Sequence, residues 1–164
     1  VSKRYSLCGA RVGCMISKNK SLMTTALKFA HLRLSPPTLG LMASEAAISS
    51  PFSYLRGVKK EYEKRKNVTI DALKKIKGVK VSVPMGAFYC IAKLPVDDAE
   101  DFSKFLLTDF KDQGQTVMFA PAAGFYSSTE LGKDQVRLAF VLESKKLKRA
   151  AEILEKGLTA YNNL

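Results

Sequence analysis

The sequence lacks the long apolar runs, low-complexity tracts and tandem repeats that would assign it to a membrane, disordered or repeat class. No run of about 18 apolar residues occurs anywhere in the chain, which excludes the usual pattern of a membrane span. Its 46% hydrophobic and 26% charged residues are ordinary for a globular protein. A chain of this size buries roughly 68–70% of its unfolded surface, so it can hold a core of its own.

Cysteine is also scarce, and its pattern excludes two classes of site. The three cysteines are an odd number without the spacing of a zinc or redox motif. This argues against a disulfide scaffold, predicts no metal site and favours a reducing compartment, so we expect a cytoplasmic protein. The sequence starts at Val1 with no basic and apolar leader pattern, and we expect a cut inside a longer gene product rather than a signal peptide.

The charge is strongly positive, with a formal net value of +12. Clustered Lys and Arg can bind nucleic-acid phosphates without regard to sequence. Here, however, the basic residues after Val58 interleave with Glu61 and Glu63, and those after Ser144 lie near Glu143 and Glu152. Both clusters are typical of solvated helix faces. A basic α+β module that binds nucleic acid stays open as an alternative, as does a missing acidic half that balances the charge.

Periodicity predicts an order of helices, two strands, a helix, two strands and a final helix. Five helices are expected. The first runs from a cap at Asn19 or Ser21 to Leu34, the second from Leu39 to Ile48, and the third from Pro51 to near Gly78. The fourth runs from Asp97 or Asp98 to near Gly114, and the fifth from a cap at Ser144 to Leu158. The expected strands cover residues 11–17, 79–83, 86–94, 116–120 and 135–142. This pattern indicates an α+β fold in which helices cover a sheet, with the first ~17 residues as the remnant of something larger.

The segment from Ser2 to Gly13 carries the most informative motif. A Ser-Lys pair ends at Lys3, and Arg11 follows eight positions later with Gly13 two residues beyond it. This segment resembles the active-site segment of fold-type I aminotransferases, the aspartate aminotransferase superfamily. The resemblance implies that Lys3 forms a Schiff base with pyridoxal 5'-phosphate (PLP) and that Arg11 binds its phosphate. The guanidinium suits phosphate because it stays charged, whereas a lysine amine must lose its proton to act as a nucleophile.

Three further segments extend the resemblance along the chain. Residues 84–89 resemble the family's glycine-aromatic strand opening, and residues 119–125 its proline-glycine loop beside the pocket. Residues 136–140 resemble the strand whose arginine clamps the substrate α-carboxylate, so the resemblance assigns that role to Arg137. Bidentate hydrogen bonding explains why an arginine is used there.

The resemblance implies the C-terminal portion of a PLP-dependent aminotransferase. Its small C-terminal domain would follow a remnant of the large α/β domain, with residues 1–18 ending the large domain, 19–50 forming inter-domain helices and 51–164 the small domain. The implied reaction moves an amino group between an amino acid and a 2-oxo acid, with aspartate and 2-oxoglutarate as the first expectation. The implied partners are the missing N-terminal part and a second subunit of a homodimer, and the chain alone would be inactive. A carbon-sulfur lyase or a decarboxylase of the same fold is the alternative within this class.

Overall fold

The computed structural model describes residues 1–128 and 131–164. The helices in these residues are α1 (Lys20–Arg33), α2 (Thr38–Ile48), α3 (Phe52–Leu73), α4 (Ala99–Thr108) and α5 (Ser144–Tyr161). The strands are β1 (Lys80–Val81), β2 (Tyr89–Lys93), β3 (Ala120–Pro121) and β4 (Gln135–Ala139). None of these helices combines the length and the apolarity that crossing a membrane requires.

The chain divides into two compact units, Val1–Val58 and Lys59–Leu164. In the first unit, α1 is capped by Asn19, one of the two predicted cap residues, whose side chain accepts a hydrogen bond from the Leu22 amide at 3.0 Å. Burial is slight there. Gly40 and Ser44 are the buried residues of this unit, and both lie on α2.

Large apolar side chains of α1 and α2 therefore face solvent within this chain. Phe29 is 67% exposed, Leu32 82% and Leu39 81%. Exposed apolar area on this scale is typical of a surface that another protein segment covers. The first unit thus has little core of its own, although its helices match the periodicity from which they were predicted.

The predicted strand over residues 11–17 is wrong. These residues have no regular secondary structure, and most of them are exposed. Their β-branched and apolar residues suit a strand, but a strand also needs a partner whose N–H and C=O groups complete its hydrogen bonds. No such partner lies beside them in the part of the chain that the structure describes.

The second unit is built on a four-stranded antiparallel sheet in the order β1-β2-β4-β3. Alternate residues of its two central strands, such as Cys90 and Val136, point into the core. The core side chains come from α3, β2, α4, β4 and α5, and include Ile70, Leu73, Cys90, Ala92, Phe102, Leu106, Val136, Leu154 and Leu158. Helices thus cover one face of the sheet, as the α+β prediction requires.

Several element boundaries differ from those predicted. The helix α3 ends at Leu73, and Gly78 lies beyond it at a φ of +82°, in the turn that leads to β1. The strand expected over 116–120 pairs only at Ala120 and Pro121, and the Thr116 hydroxyl donates instead to the Leu106 carbonyl at 2.5 Å.

The two later helices also test the predicted caps. Asp98 caps α4 as predicted, because its carboxylate accepts the Glu100 amide at 2.7 Å. The cap predicted at Ser144 is wrong: Ser144 is the first residue of α5 and Glu143 occupies the cap position, without a side-chain hydrogen bond. The predicted apolar stripe of α5 is confirmed, since Leu147 and Leu154 are both buried.

Candidate functional site

The N-terminal segment of the first unit presents Lys3 on a tight turn. Residues 2–5 form this turn, which is closed by a hydrogen bond from the Tyr5 amide to the Val1 carbonyl at 3.1 Å. The Lys3 residue is exposed. A lysine that reacts with an aldehyde has to be accessible to that aldehyde, and the turn leaves Lys3 accessible.

Arg11 ends the short 3-10 turn Cys8–Ala10 in a left-handed backbone conformation, with φ 53° and ψ 36°. A residue other than glycine adopts this conformation uncommonly, and such positions concentrate at functional sites. The Arg11 Nη1 donates to the Cys8 carbonyl at 3.1 Å, which ties the guanidinium to its own turn. The remaining donors of the exposed side chain are available to an anion.

The helix α2 supports this turn through a glycine. A β-carbon built at Gly40 would meet the Ala10 carbonyl carbon at 3.2 Å and the Val12 Cγ2 at 3.3 Å, and would overlap the Ala10 carbonyl oxygen. Only a residue without a side chain permits so close a backbone approach. The Ser44 hydroxyl, buried on the same helix, donates to the Gly40 carbonyl at 2.7 Å. The two residues on either side of Arg11 are therefore held by α2.

The donor set of this segment fits PLP. A primary amine can take the aldehyde carbon, and a guanidinium matches the phosphate oxygens. Lys3 and Arg11 supply these two groups within one short segment of the first unit. Among the described residues there is no group of three or more His, Cys, Asp or Glu that could hold a metal ion.

Arg137 lies at the centre of β4, in the second unit. Its strand partners are Ile91 on β2 and Ala120 on β3. Because Val136 points into the core, the next residue along the strand points to the opposite face of the sheet. Arg137 accordingly stands half-buried on the sheet face opposite the core of this unit.

Two aromatic rings surround the Arg137 guanidinium. Its Cζ lies 4.5 Å from the centroid of the Phe125 ring and 5.2 Å from that of Tyr89. Both distances are within the range of cation–π attraction. Within residues 1–128 and 131–164, neither a carboxylate nor any hydrogen-bond acceptor engages this guanidinium. It is thus oriented by rings that leave its N–H donors available.

The chain around Phe125 is well fixed by hydrogen bonds. The Phe125 amide donates to the Ala122 carbonyl at 2.9 Å, which closes the 3-10 turn Ala123–Phe125. The Ala122 amide donates in turn to the Gln135 carbonyl at 2.8 Å, and the Tyr126 hydroxyl to Gln135 Oε1 at 2.7 Å. The turn was predicted at residues 121–124, but Pro121 still belongs to β3 and the turn lies later. It fixes the backbone of Phe125 beside β4.

The cysteines divide by location. Cys90 is 3% exposed on the core side of β2, and burial raises the pKa of its thiol to about 11. Cys8 and Cys14 are exposed. The buried thiol is therefore a packing group, as a raised pKa suppresses the thiolate form.

Sequence analysis missed three residues around the predicted ones. Phe125 and Tyr89 belong to motifs that were quoted for the resemblance, but their relation to Arg137 depends on the register of β2, β4 and β3. Gly40 carried no signal, because its partner at Ala10 is 30 positions away. Lys3 and Arg11 lie in the first unit and Arg137 in the second.

Comparison with known proteins gives a consistent family. The sequence model described as "Aminotransferase class I and II" matches residues 1–154. The aspartate aminotransferase of Thermotoga maritima is 32% identical over 97% of this chain and 38% of its own length. That of Sulfurisphaera tokodaii is 29% identical over 96% of this chain and 40% of its own length.

Solved structures agree with these relatives. The crystal structure of the aspartate aminotransferase from Thermotoga maritima superposes with a TM-score of 0.77 at 30% identity, covering 96% of this chain and 38% of that one. An aminotransferase from Mycobacterium tuberculosis gives a TM-score of 0.79 at 25% identity, with coverage of 97% and 40%. The chain thus spans about 40% of the length of the relatives that it matches.

Proposed function

The chain belongs to the aminotransferase class I and II family, and we propose that it forms the C-terminal portion of a PLP-dependent transaminase. The observation that carries the proposal is the Arg137 guanidinium, which rests over two rings and has no carboxylate partner in the described residues. An arginine in this state can take a substrate carboxylate by paired hydrogen bonds. Members of the family act on substrates that carry such a group.

Three residues of this chain have distinct roles in the proposed reaction. Lys3 would hold the cofactor covalently, and its amine, when freed, would take the substrate α-proton and return it. Arg11 binds the cofactor phosphate, and Arg137 binds the substrate α-carboxylate. When bound, the cofactor would supply an electron sink for the negative charge that proton removal leaves.

We propose the aspartate and 2-oxoglutarate type of substrate pair. Support comes from the relatives of Thermotoga maritima and Sulfurisphaera tokodaii, both named aspartate aminotransferases. Product analysis separates this reaction from those of a carbon-sulfur lyase or a decarboxylase of the same fold. A transaminase converts 2-oxoglutarate to glutamate in equal amount to the oxaloacetate formed. A carbon-sulfur lyase instead releases a thiol or sulfide together with ammonia, and a decarboxylase releases carbon dioxide.

We further propose that the rest of the site lies outside this chain. The chain spans about 40% of the length of its relatives, and its first unit exposes large apolar side chains such as Leu32 and Leu39. An upstream large domain and a second subunit would cover such surfaces. We also propose that residues 1–18 end the large domain, 19–50 form inter-domain helices and 51–164 form the small domain. In this proposal the full-length protein is a cytoplasmic homodimer, and the chain alone is inactive.

The phosphate role of Arg11 can be tested on the chain itself. Binding of PLP and of pyridoxal, which lacks the phosphate, is measured by absorbance titration. The proposal expects the wild-type chain to prefer PLP, and the Arg11→Gln variant to lose that preference. Arg4→Gln is the matched control, because Arg4 is an exposed neighbour whose Cζ lies 5.8 Å from the Tyr5 ring centroid. A wild-type chain that binds both aldehydes equally would contradict the role of Arg11.

A further inference from the structure

We infer that Phe125 and Tyr89 are positioning residues, which hold the Arg137 guanidinium so that its paired N–H groups meet a substrate carboxylate. The inference rests on the proposed role of Arg137 and adds to it the residues that make the arginine ready to bind. All three residues belong to the second unit.

The two rings reach the guanidinium from opposite neighbours of β4. Tyr89 is the first residue of β2, which pairs with β4 on one side, and its strand places Ile91 directly opposite Arg137. Phe125 ends the 3-10 turn that follows β3, the strand on the other side. With the Cζ within about 6 Å of each centroid, both rings attract the positive charge. An aromatic residue on each flank restricts where the long side chain can lie.

Comparison with the other arginines of this unit shows what is different about Arg137. Arg149 donates to the Gln115 side chain at 3.0 Å and pairs with Asp112 at 2.7 Å. Arg65 donates to Glu61 at 2.8 Å and to the Val141 carbonyl at 2.6 Å. Both of these guanidiniums are oriented by acceptors, which occupy their N–H groups.

Arg137 is oriented by rings, which leave its N–H groups unoccupied. An aromatic face attracts a cation but takes up none of the in-plane N–H donors that match a carboxylate. The arginine side chain has several rotatable bonds, and freezing them on binding opposes affinity. Rings that restrict the side chain in advance remove part of that opposition, which is the benefit of preorganisation.

The rings themselves are accessible, so removing one should leave the fold intact. Phe125 is 57% exposed and Tyr89 39% exposed, and neither belongs to the core cluster. Substituting them is therefore a test of positioning rather than of folding. The test uses the ¹⁵N-labelled chain, in which the Arg137 Nε–Hε signal is identified by its absence from the Arg137→Lys variant.

Two measurements are made on wild type, Phe125→Leu, Tyr89→Leu and the aromatic replacements Phe125→Tyr and Tyr89→Phe. The first is the heteronuclear NOE of the Arg137 Nε–Hε group without ligand, which reports how restricted the guanidinium is. The second is the shift of the same signal on titration with acetate, with chloride as the ionic-strength control. We expect each leucine variant to lower the NOE and to weaken acetate binding by about two- to fivefold. The aromatic replacements should keep both values.

The outcomes separate this inference from the proposed function. Leucine variants that keep the wild-type NOE and acetate affinity overturn the positioning role while leaving Arg137 as the carboxylate ligand. A wild-type signal that ignores acetate overturns the carboxylate role of Arg137 itself, and the inference with it. Loss of affinity in the leucine variants that the aromatic replacements do not restore also contradicts the inference, because a cation–π contact requires only the ring.

Discussion

Gly40 on α2 lies against the backbone of Ala10, so closely that a β-carbon at Gly40 would overlap the Ala10 carbonyl oxygen. The contact joins a helix to the turn that presents Arg11, and the Val12 side chain lies against the same point at 3.3 Å. A carbonyl in a tight turn cannot move aside as a flexible side chain can. The position of Arg11, the proposed phosphate ligand, therefore depends on Gly40 having no side chain.

The variant Gly40→Ala should detach the turn from α2. We expect a local destabilisation of about 1–3 kcal/mol from overpacking, partly offset by the better helix propensity of alanine. Hydrogen exchange followed by mass spectrometry should show faster exchange of α2 amides and weaker retention of PLP.

Gly57→Ala is the matched control for that variant. Gly57 lies inside α3, and nothing stands within 4 Å of a β-carbon built there. The same substitution should then be neutral or stabilise by about 0.5–1 kcal/mol, because alanine lowers the entropy of the unfolded chain. If Gly40→Ala behaves like Gly57→Ala, the contact with Ala10 does not hold the turn.

The three cysteines should react in two classes with a thiol reagent. Cys8 and Cys14 are exposed, whereas Cys90 lies in the core with a pKa raised to about 11 by burial. At pH 8 we expect two thiols per chain to react with Ellman's reagent under native conditions, and the third only after addition of denaturant. The Cys90→Ala variant should lose only the slow thiol. Rapid reaction of all three would contradict the packing of β2 against the helices.

Because of Asp112, the stability of the second unit should decrease at acidic pH. Hydrogen bonds from Lys156 and then from Arg149 hold the pKa of Asp112 below its ordinary value. A carboxyl whose pKa is lowered on folding contributes stability above its unfolded pKa of about 3.9, and loses that contribution as the pH falls through the folded value.

Thermal unfolding of wild type and Asp112→Asn measures this effect. The wild type should melt at the higher temperature near neutral pH, and the difference should shrink as the pH is lowered below about 4. Asp71→Asn is the control, since Asp71 is exposed on α3 and makes no ion pair in the described part of the chain. A difference between wild type and Asp112→Asn that is independent of pH would show that the ion pairs contribute nothing.

The sequence predicted secondary-structure elements well where a local residue pattern is enough to identify them. The apolar stripe of α5 with Leu147 and Leu154 is confirmed. It was predictable because the residues on the buried face of a helix recur in the sequence at the helical period. Strands were harder to place: β3 covers only Ala120 and Pro121, and residues 11–17 form none. Whether a β-prone segment becomes a strand depends on a neighbour elsewhere in the chain, which local composition does not encode.

The site shows the same limit. A resemblance carried by motifs can assign roles to Lys3, Arg11 and Arg137, because spacing within a motif is local. The rings beside Arg137 and the glycine beside Ala10 depend on pairings across strands and helices. Such contacts follow from register and packing, and only the folded chain specifies them.

The assignment of Lys3 as the cofactor lysine is the central claim, and mapping the labelled lysine tests it most directly. The chain is incubated with PLP and reduced with sodium borohydride, and the modified peptides are identified by mass spectrometry. Lys3→Ala is compared with Lys18→Ala, an exposed lysine of the same unit. The account predicts one dominant modified site at Lys3, lost in Lys3→Ala and kept in Lys18→Ala. Label spread evenly over the lysines, and unchanged in total by Lys3→Ala, would contradict it.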